Sequence, residues 1–270
     1  MTVGLLHPGE MGAAVGWALR DRGVEVIWAS EGRSSATADR ADTAGLEDVG
    51  TVQDVVRRAD VLISLCPPHA ALEVAHSVAD FTGVYVDANA ISPSTARAIA
   101  ARLPLFVDGG VIGPPPREVN TTRIYLSGEE ARAVAELFSG SVLEAKVLSA
   151  APGAASALKM AYAAWTKGSA ALLLASRAAA EVNGVGEALV AEWRLSVPEL
   201  ESRLGAAGRS ALRKGWRWVG EMEEIAGTFA AAGLPSGFHE GAAEIFRRAA
   251  HADPDGEAAD RVVAALLGSS

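Results

Sequence analysis

The sequence predicts an α/β protein: a parallel sheet covered by helices over residues 1–150, then a long helix opening an all-α domain over 151–270. Three observations carry this. Short β-type runs alternate with helix-type stretches from the N-terminus to about residue 150, the pattern of strands joined by helical crossovers. Strand signals then stop at Ala151-Pro152-Gly153. From Ala154 to Val182 there is no proline and only one glycine, Gly168, so the segment reads as one uninterrupted helix.

The strand candidates are Thr2 to Leu6, Val24 to Trp28, Val61 to Leu65, Val84 to Asp87 and Leu105 to Val107, with Arg123 to Leu126 and Val142 to Val147 closing the domain. Between the first two, Met11 to Leu19 spaces its apolar residues at helical intervals, and Arg20-Asp21-Arg22-Gly23 ends the run with charge and a glycine stop. That is one βαβ unit. Further crossovers are expected at Val52 to Arg58, Ala70 to Val78 and Ser94 to Ala101. The helix starting at Ala154, of roughly 30 residues, would reach about 45 Å, so it is expected to bridge two domains or two subunits. Beyond it, helical patterns are punctuated at Asn183-Gly184, Pro198, Gly205, Gly233-Leu234-Pro235 and Asp253-Pro254-Asp255-Gly256.

Half of the residues are hydrophobic, which excludes general disorder and supplies apolar side chains for two cores. Lys+Arg 24 against Asp+Glu 33 gives a net charge of −9, so no strong attraction to nucleic acid or an anionic membrane is expected. An anionic ligand needs a local site. The sequence holds no metal-ligand constellation, and its single cysteine, Cys66, excludes an intrachain disulfide and a cysteine-rich zinc site. Met1 to Leu6 lacks the basic and apolar segments of a secretory signal, and the most apolar stretch, Met160 to Val182, carries Lys167, Arg177 and Glu181. A soluble cytoplasmic protein is expected, with any redox chemistry supplied by a cofactor.

His7-Pro8-Gly9-Glu10-Met11-Gly12 lies between the first strand and the first helix, where a Rossmann dinucleotide fold places its phosphate-binding turn. The G-x-G-x-x-G spacing is kept at Gly9 and Gly12, with His7 in place of the first glycine. An ordinary strand-to-helix turn is the alternative. At the end of the second strand, Trp28-Ala29-Ser30 offers no carboxylate to an adenosine ribose, whereas Arg33 with Ser34 or Ser35 can pair with a 2′-phosphate. This points to NADPH over NADH. Glu31 competes, because its carboxylate suits the ribose hydroxyls of NADH, and a solvated arginine in a capping loop is the plain reading. Ser30, Cys66 and Pro67, at strand ends, complete the cofactor-binding candidates.

In chain order these motifs resemble the β-hydroxyacid dehydrogenase superfamily, which includes 6-phosphogluconate dehydrogenase and 3-hydroxyisobutyrate dehydrogenase and has the imine reductases as close relatives. Gly9-Glu10-Met11-Gly12 is similar to its cofactor turn, and Asp87-Ala88-Asn89-Ala90-Ile91-Ser92-Pro93 to its D-x-S-T-x-x-P segment beside the nicotinamide. Asp108-Gly109-Gly110-Val111-Ile112-Gly113 resembles its substrate-binding D-x-P-V-S-G-G segment. Gly153-Ala154-Ala155-Ser156-Ala157-Leu158-Lys159 resembles the G-x-G-x-x-x-K segment that opens the interdomain helix and carries the catalytic lysine. The resemblance spans nearly the whole chain. It departs at Ala163, where the family places an asparagine, and at Asn89-Ala90, where Ser-Thr is expected. The C-terminal half, with Gly215 to Met222 and Gly233 to His239, resembles a less studied branch.

The resemblance implies an NADPH-dependent oxidoreductase that moves hydride between the nicotinamide and a small carbonyl or β-hydroxy acid, with Lys159 as proton donor and acceptor. The residues around Lys159 agree, since Ala155, Leu158, Met160 and Ala163 are small or apolar and an ammonium there can stabilise charge developing on oxygen. Tyr162, one turn onward, is a second proton donor, a pocket wall or a core residue. Asn89 offers a donor and an acceptor near the nicotinamide end, and Ser92 reads as a helix cap. Gly109, Gly110 and Val111 let backbone approach a small substrate, and Arg117 is an anion clamp or an exposed loop residue. Trp216, Met222, Phe238 and His239 close an apolar pocket or form core.

Two alternatives stand beside this. An imine reductase shares the scaffold, but by resemblance those enzymes carry aspartate or tyrosine where Lys159 stands. A dinucleotide-binding sensor without catalysis is suggested by Ala163 and Asn89-Ala90. A homodimer is expected, from the apolar extent of the long helix and from the family's shared-site arrangement.

Overall fold

The structure is a computed structural model that describes residues 1–250, 252 and 256–268. The chain divides into two compact units, Met1–Met160 and Ala161–Ser270.

The first unit is built on eight strands: β1 (Thr2–Leu5), β2 (Glu25–Trp28), β3 (Glu47–Asp48), β4 (Val61–Ser64), β5 (Val84–Asp87), β6 (Phe106–Ile112), β7 (Thr122–Ser127) and β8 (Leu143–Ser149). Their order in the sheet is β3-β2-β1-β4-β5-β6-β7-β8. Pairing is parallel from β3 to β6; β7 then runs antiparallel to β6, and β8 parallel to β7. The purely parallel sheet expected from the crossovers therefore ends in a reversed pair, because the connection from β6 to β7 holds no helix. The order reverses direction between β1 and β4, which opens a crevice at their C-terminal ends.

β4 and β6 are buried along their whole length, as strands covered by helices on both faces must be. Alternation sends Val3, Leu5, Val26 and Val107 into one core layer and Leu6, Ile27, Leu62 and Tyr85 into the other. The covering helices are α1 (Glu10–Arg20), α2 (Ser35–Thr43), α3 (Val52–Arg58), α4 (Ala71–Ser77), α5 (Pro93–Ala100) and α6 (Ala131–Glu136). Ser34, Thr51 and Ser92 cap α2, α3 and α5, each side chain accepting from an amide three residues on. β3 and α2 carry too few apolar residues to stand out in the sequence, and α6, at six residues, is too short; both residues of β3 are exposed.

α7 (Ala154–Val182) spans the division between the units. That division falls at Met160 rather than at residue 150, because the first turns of α7 bond to β6, as described below. α8 (Gly186–Ser196), α9 (Glu199–Ala231), α10 (Gly237–Ala249) and α11 (Ala258–Leu267) complete the second unit. α9 runs straight through Gly205, which the sequence marked as a breaker. A helical glycine costs about 1 kcal/mol, which the burial of Leu204, Ala211, Met222 and Ile225 outweighs. Asp253, Pro254 and Asp255 of the last expected breaker lie outside the described residues. Among those described, no helix is long and apolar enough to cross a membrane, and no group of His, Cys, Asp and Glu could hold a metal ion.

Candidate functional site

β1 delivers the chain to Leu6-His7-Pro8-Gly9, and α1 begins at once with Gly9 as its N-cap. No side chain caps α1, so its first-turn amides remain for a ligand or for water. Gly9 N–H donates to the His7 carbonyl at 2.9 Å, and a Cβ on Gly12 would run into that same oxygen. The turn therefore requires Gly12. Pro8 is buried, Glu10 is exposed, and Met11 packs on the core.

His7 and Arg33 meet over this turn. The Arg33 Nη2 donates to the Leu6 carbonyl at 3.3 Å, while its Nε and the His7 Nδ1 are buried without partners. Burial, assisted by the Arg33 guanidinium, pushes the His7 pKa down to about 4. Glu31 is exposed, and Ser34 spends its hydroxyl on α2. Ser30 N–H donates to the Asp48 carboxylate at 3.2 Å, which also accepts from Gly50 N–H at 2.9 Å. Asp48 thus stands at the end of β3 as the acidic group that β2 lacks. A two-residue strand gave the sequence no signal to place it there.

At the ends of β4 and β5, the Asn89 amide is fully engaged. Its Oδ1 accepts from Cys66 N–H at 2.5 Å, and its Nδ2 donates to the Ser64 hydroxyl at 3.1 Å and to Asp87 at 2.9 Å. Asn89 therefore ties two strand ends together beside Cys66 and Pro67. Burial raises the Cys66 pKa to about 11, which keeps it a thiol.

The last cluster joins β6 to α7. The fully buried Asp108 carboxylate accepts from Gly153 N–H at 3.0 Å, Ser156 N–H at 2.9 Å, Ser127 Oγ at 3.0 Å and Ser156 Oγ at 2.5 Å. Ser127 Oγ in turn accepts from Ala155 N–H at 3.1 Å. Gly110 lies beneath the helix, where a Cβ would come within 2.8 Å of the Ala155 carbonyl oxygen and 3.1 Å of the Lys159 Cβ. This close approach lets Lys159 Nζ donate to the Val111 carbonyl at 2.7 Å. Burial pushes the Lys159 pKa down to about 8, and no carboxylate answers it among the described residues.

Other candidates lie elsewhere. Gly109 is buried within β6, and Arg117 stacks 5.2 Å from the ring centroid of Trp17 on α1, lining a surface cavity of about 360 Å³ with Glu10 and Asp39. In the second unit, Tyr162, Trp216 and Phe238 are exposed, whereas Met222 is fully buried. His239 is buried edge-on against Phe229, ring centroids 4.3 Å apart, with its Nδ1 unpartnered and its pKa lowered by burial. The residues that sequence reasoning missed are Ser127 and Asp48; Asp108 and Ser156 were seen only as parts of motifs. The available signal was an acid before a glycine pair, with a Gly-x-x-Ser opening a helix.

Comparison with known proteins places this arrangement. Residues 1–82 match the model of the acetohydroxy acid isomeroreductase NADPH-binding domain, and residues 180–249 match a domain of unknown function, DUF1932. An uncharacterized 28.5 kDa protein from the 7S RNA 5′ region of Methanothermus fervidus is 32% identical over 177 residues, covering 64% of this chain and 68% of that protein. The solved structure of the conserved protein MTH1747, of unknown function and described as similar to 3-hydroxyacid dehydrogenases, is 30% identical, with TM-score 0.70 and full coverage of both chains. At fold level, Mycobacterium tuberculosis 3-hydroxyisobutyrate dehydrogenase shares 17% identity over 97% of each chain with TM-score 0.66. The Streptomyces aurantiacus imine reductase shares 22% identity over 98% of this chain and 99% of its own with TM-score 0.53.

Proposed function

The chain belongs to the β-hydroxyacid dehydrogenase-like superfamily of oxidoreductases, with a divergent C-terminal domain, and from that premise we propose that it is an NADPH-dependent enzyme interconverting a small carbonyl and the corresponding hydroxy compound. The observation that carries this reading is Lys159: an amine held at the C-terminal end of β6 by a backbone carbonyl, with no carboxylate among the described residues to fix its charge and a pKa of about 8. A group that titrates near the working pH can give a proton to a nascent alkoxide and take it back in the reverse direction.

The residues of the first unit fit a dinucleotide. The uncapped first turn of α1 and the Gly12 cradle suit a pyrophosphate, and the unpartnered His7 Nδ1 and Arg33 Nε await an acceptor. Arg33 would meet a 2′-phosphate, with Ser30 shaping the loop and Cys66, Pro67 and Asn89 lining the strand ends. When bound, the nicotinamide supplies or accepts hydride. Lys159 holds the moving proton at Nζ, regains it from solvent, and stabilises negative charge on the substrate oxygen.

The working form is a homodimer. Leu158, Tyr162, Trp165 and Leu172 fall at heptad spacing along α7 and are 36%, 48%, 69% and 66% exposed, an apolar stripe that suits a second copy. Light scattering at micromolar concentration should give twice the chain mass; a fully active monomer contradicts it. The function itself is tested by NADPH consumption across a panel of small carbonyls, imines and β-hydroxy acids. Turnover of carbonyls or hydroxy acids supports the reading, turnover of imines alone makes the chain an imine reductase, and tight NADPH binding without any turnover makes it a sensor.

A further inference from the structure

We propose that Asp108 is a positioning residue for Lys159: by gathering the first-turn donors of α7 onto β6, it sets where the lysine amine stands. The proposal rests on the reading of Lys159 as the proton-transfer group.

The geometry is a two-point attachment along a single strand. Asp108 takes the helix N-terminus through Gly153 N–H and Ser156 N–H, and three residues later Val111 takes Lys159 Nζ. Between them, Gly110 lets the helix backbone rest on the strand. Ser127 widens the anchor, donating to Asp108 while accepting from Ala155 N–H. All three side chains, Asp108, Ser127 and Ser156, are 0% exposed.

A carboxylate is chemically suited to this task and an amide is not. Its two oxygens accept four donors and oppose none, and negative charge at a helix N-terminus complements the backbone dipoles. Asparagine would turn one oxygen into a donor facing hydrogen-bond donors, leaving buried groups unsatisfied. A slip of α7 by one residue rotates it by about 100°, which would carry Lys159 off the Val111 carbonyl. Lysine has a long, rotamer-rich stem, so its amine is placed only as well as its backbone is.

The chain contains only four lysines, Lys146, Lys159, Lys167 and Lys214, so each can be followed by ¹³C-methyl resonances after reductive methylation. Lys159→Met identifies the Lys159 signal by its loss. In Asp108→Asn, the Lys159 titration should move upward from about 8 by roughly one unit, a tenfold change in proton affinity, as the freed ammonium gains water. Turnover at neutral pH should fall at least tenfold, while NADPH affinity changes less than twofold. A residue that merely stabilised the fold would lower the melting temperature without moving this titration. If Asp108→Asn does not fold, the double variant Ser127→Ala, Ser156→Ala removes two of the donors and is judged by the same shift. A folded variant in which Lys159 titrates as in the parent overturns the proposal. Unchanged turnover in Lys159→Met would instead defeat the catalytic reading, while leaving the titration able to show whether Asp108 places the amine.

Discussion

Two lysines eight residues apart on α7 meet opposite surroundings. Lys159 donates to a backbone carbonyl and has no carboxylate partner among the described residues, whereas Lys167 is paired with Glu221 and lies 5.5 Å over the Trp218 ring. The side chains of Lys167 and Glu221 are only 14% and 12% exposed. Burial alone does not decide what a lysine does; the charge of its partner does. Lys167 with Glu221 forms a compensated pair that joins α7 to α9. An ammonium facing only a carbonyl dipole is free to lose its proton.

The comparison breaks if the two substitutions act alike. Lys159→Met should reduce turnover by roughly 10²- to 10⁴-fold with NADPH affinity nearly unchanged, measured by steady-state kinetics beside fluorescence titration of the cofactor. Lys167→Met should instead lower the unfolding free energy by about 3 to 5 kcal/mol, because Glu221 is left buried without its counter-charge. Denaturant titration checks it, and a Lys167 variant as stable as the parent would show that the pair is solvated.

Smaller effects sharpen the picture around the phosphate turn. NADPH should bind at least tenfold more tightly than NADH, about 1.4 kcal/mol, and Arg33→Ala should erase most of that gap in direct binding measurements. Equal affinities in the parent would shift the ribose contact to Glu31. His7 gives a pH signature. Its folded pKa of about 4 lies below the ordinary imidazole value of 6.5, so the unfolded chain binds more protons in between and stability falls as pH drops through that window. His7→Gln should remove on the order of 1 kcal/mol of this acid sensitivity, after discounting for the partial exposure of the ring. Identical acid unfolding of parent and variant would mean that His7 is solvated.

The same contrast explains what could be read in advance. β1, α1 and β2 were legible because apolar periodicity, a glycine turn and a glycine stop agree within a short window. α7 was legible to its end residues, since nothing between Ala154 and Val182 interrupts a helix. β3 was not, because two exposed residues make a strand only through pairing with Ile27 and Trp28. α9 defeated the reading at Gly205 because tertiary burial outweighed a local propensity. In the site, Lys159 announced itself as a cation among small residues. Asp108, by contrast, acts on Gly153 and Ser156, more than forty positions away, and only the fold brings such partners together. Asn89 was read as facing a ligand, yet its amide is occupied by Ser64, Cys66 and Asp87. No one-dimensional pattern distinguishes an amide that binds substrate from one that ties strands.

The most direct test is the pH dependence of turnover in both directions, in the parent and in Lys159→Met. If Lys159 carries the proton, carbonyl reduction by the parent falls as pH rises through about 8 and hydroxy-compound oxidation rises through the same value, and both limbs vanish in the variant. Limbs that persist in Lys159→Met, or profiles flat through this range in the parent, would contradict the account and assign the proton to another group.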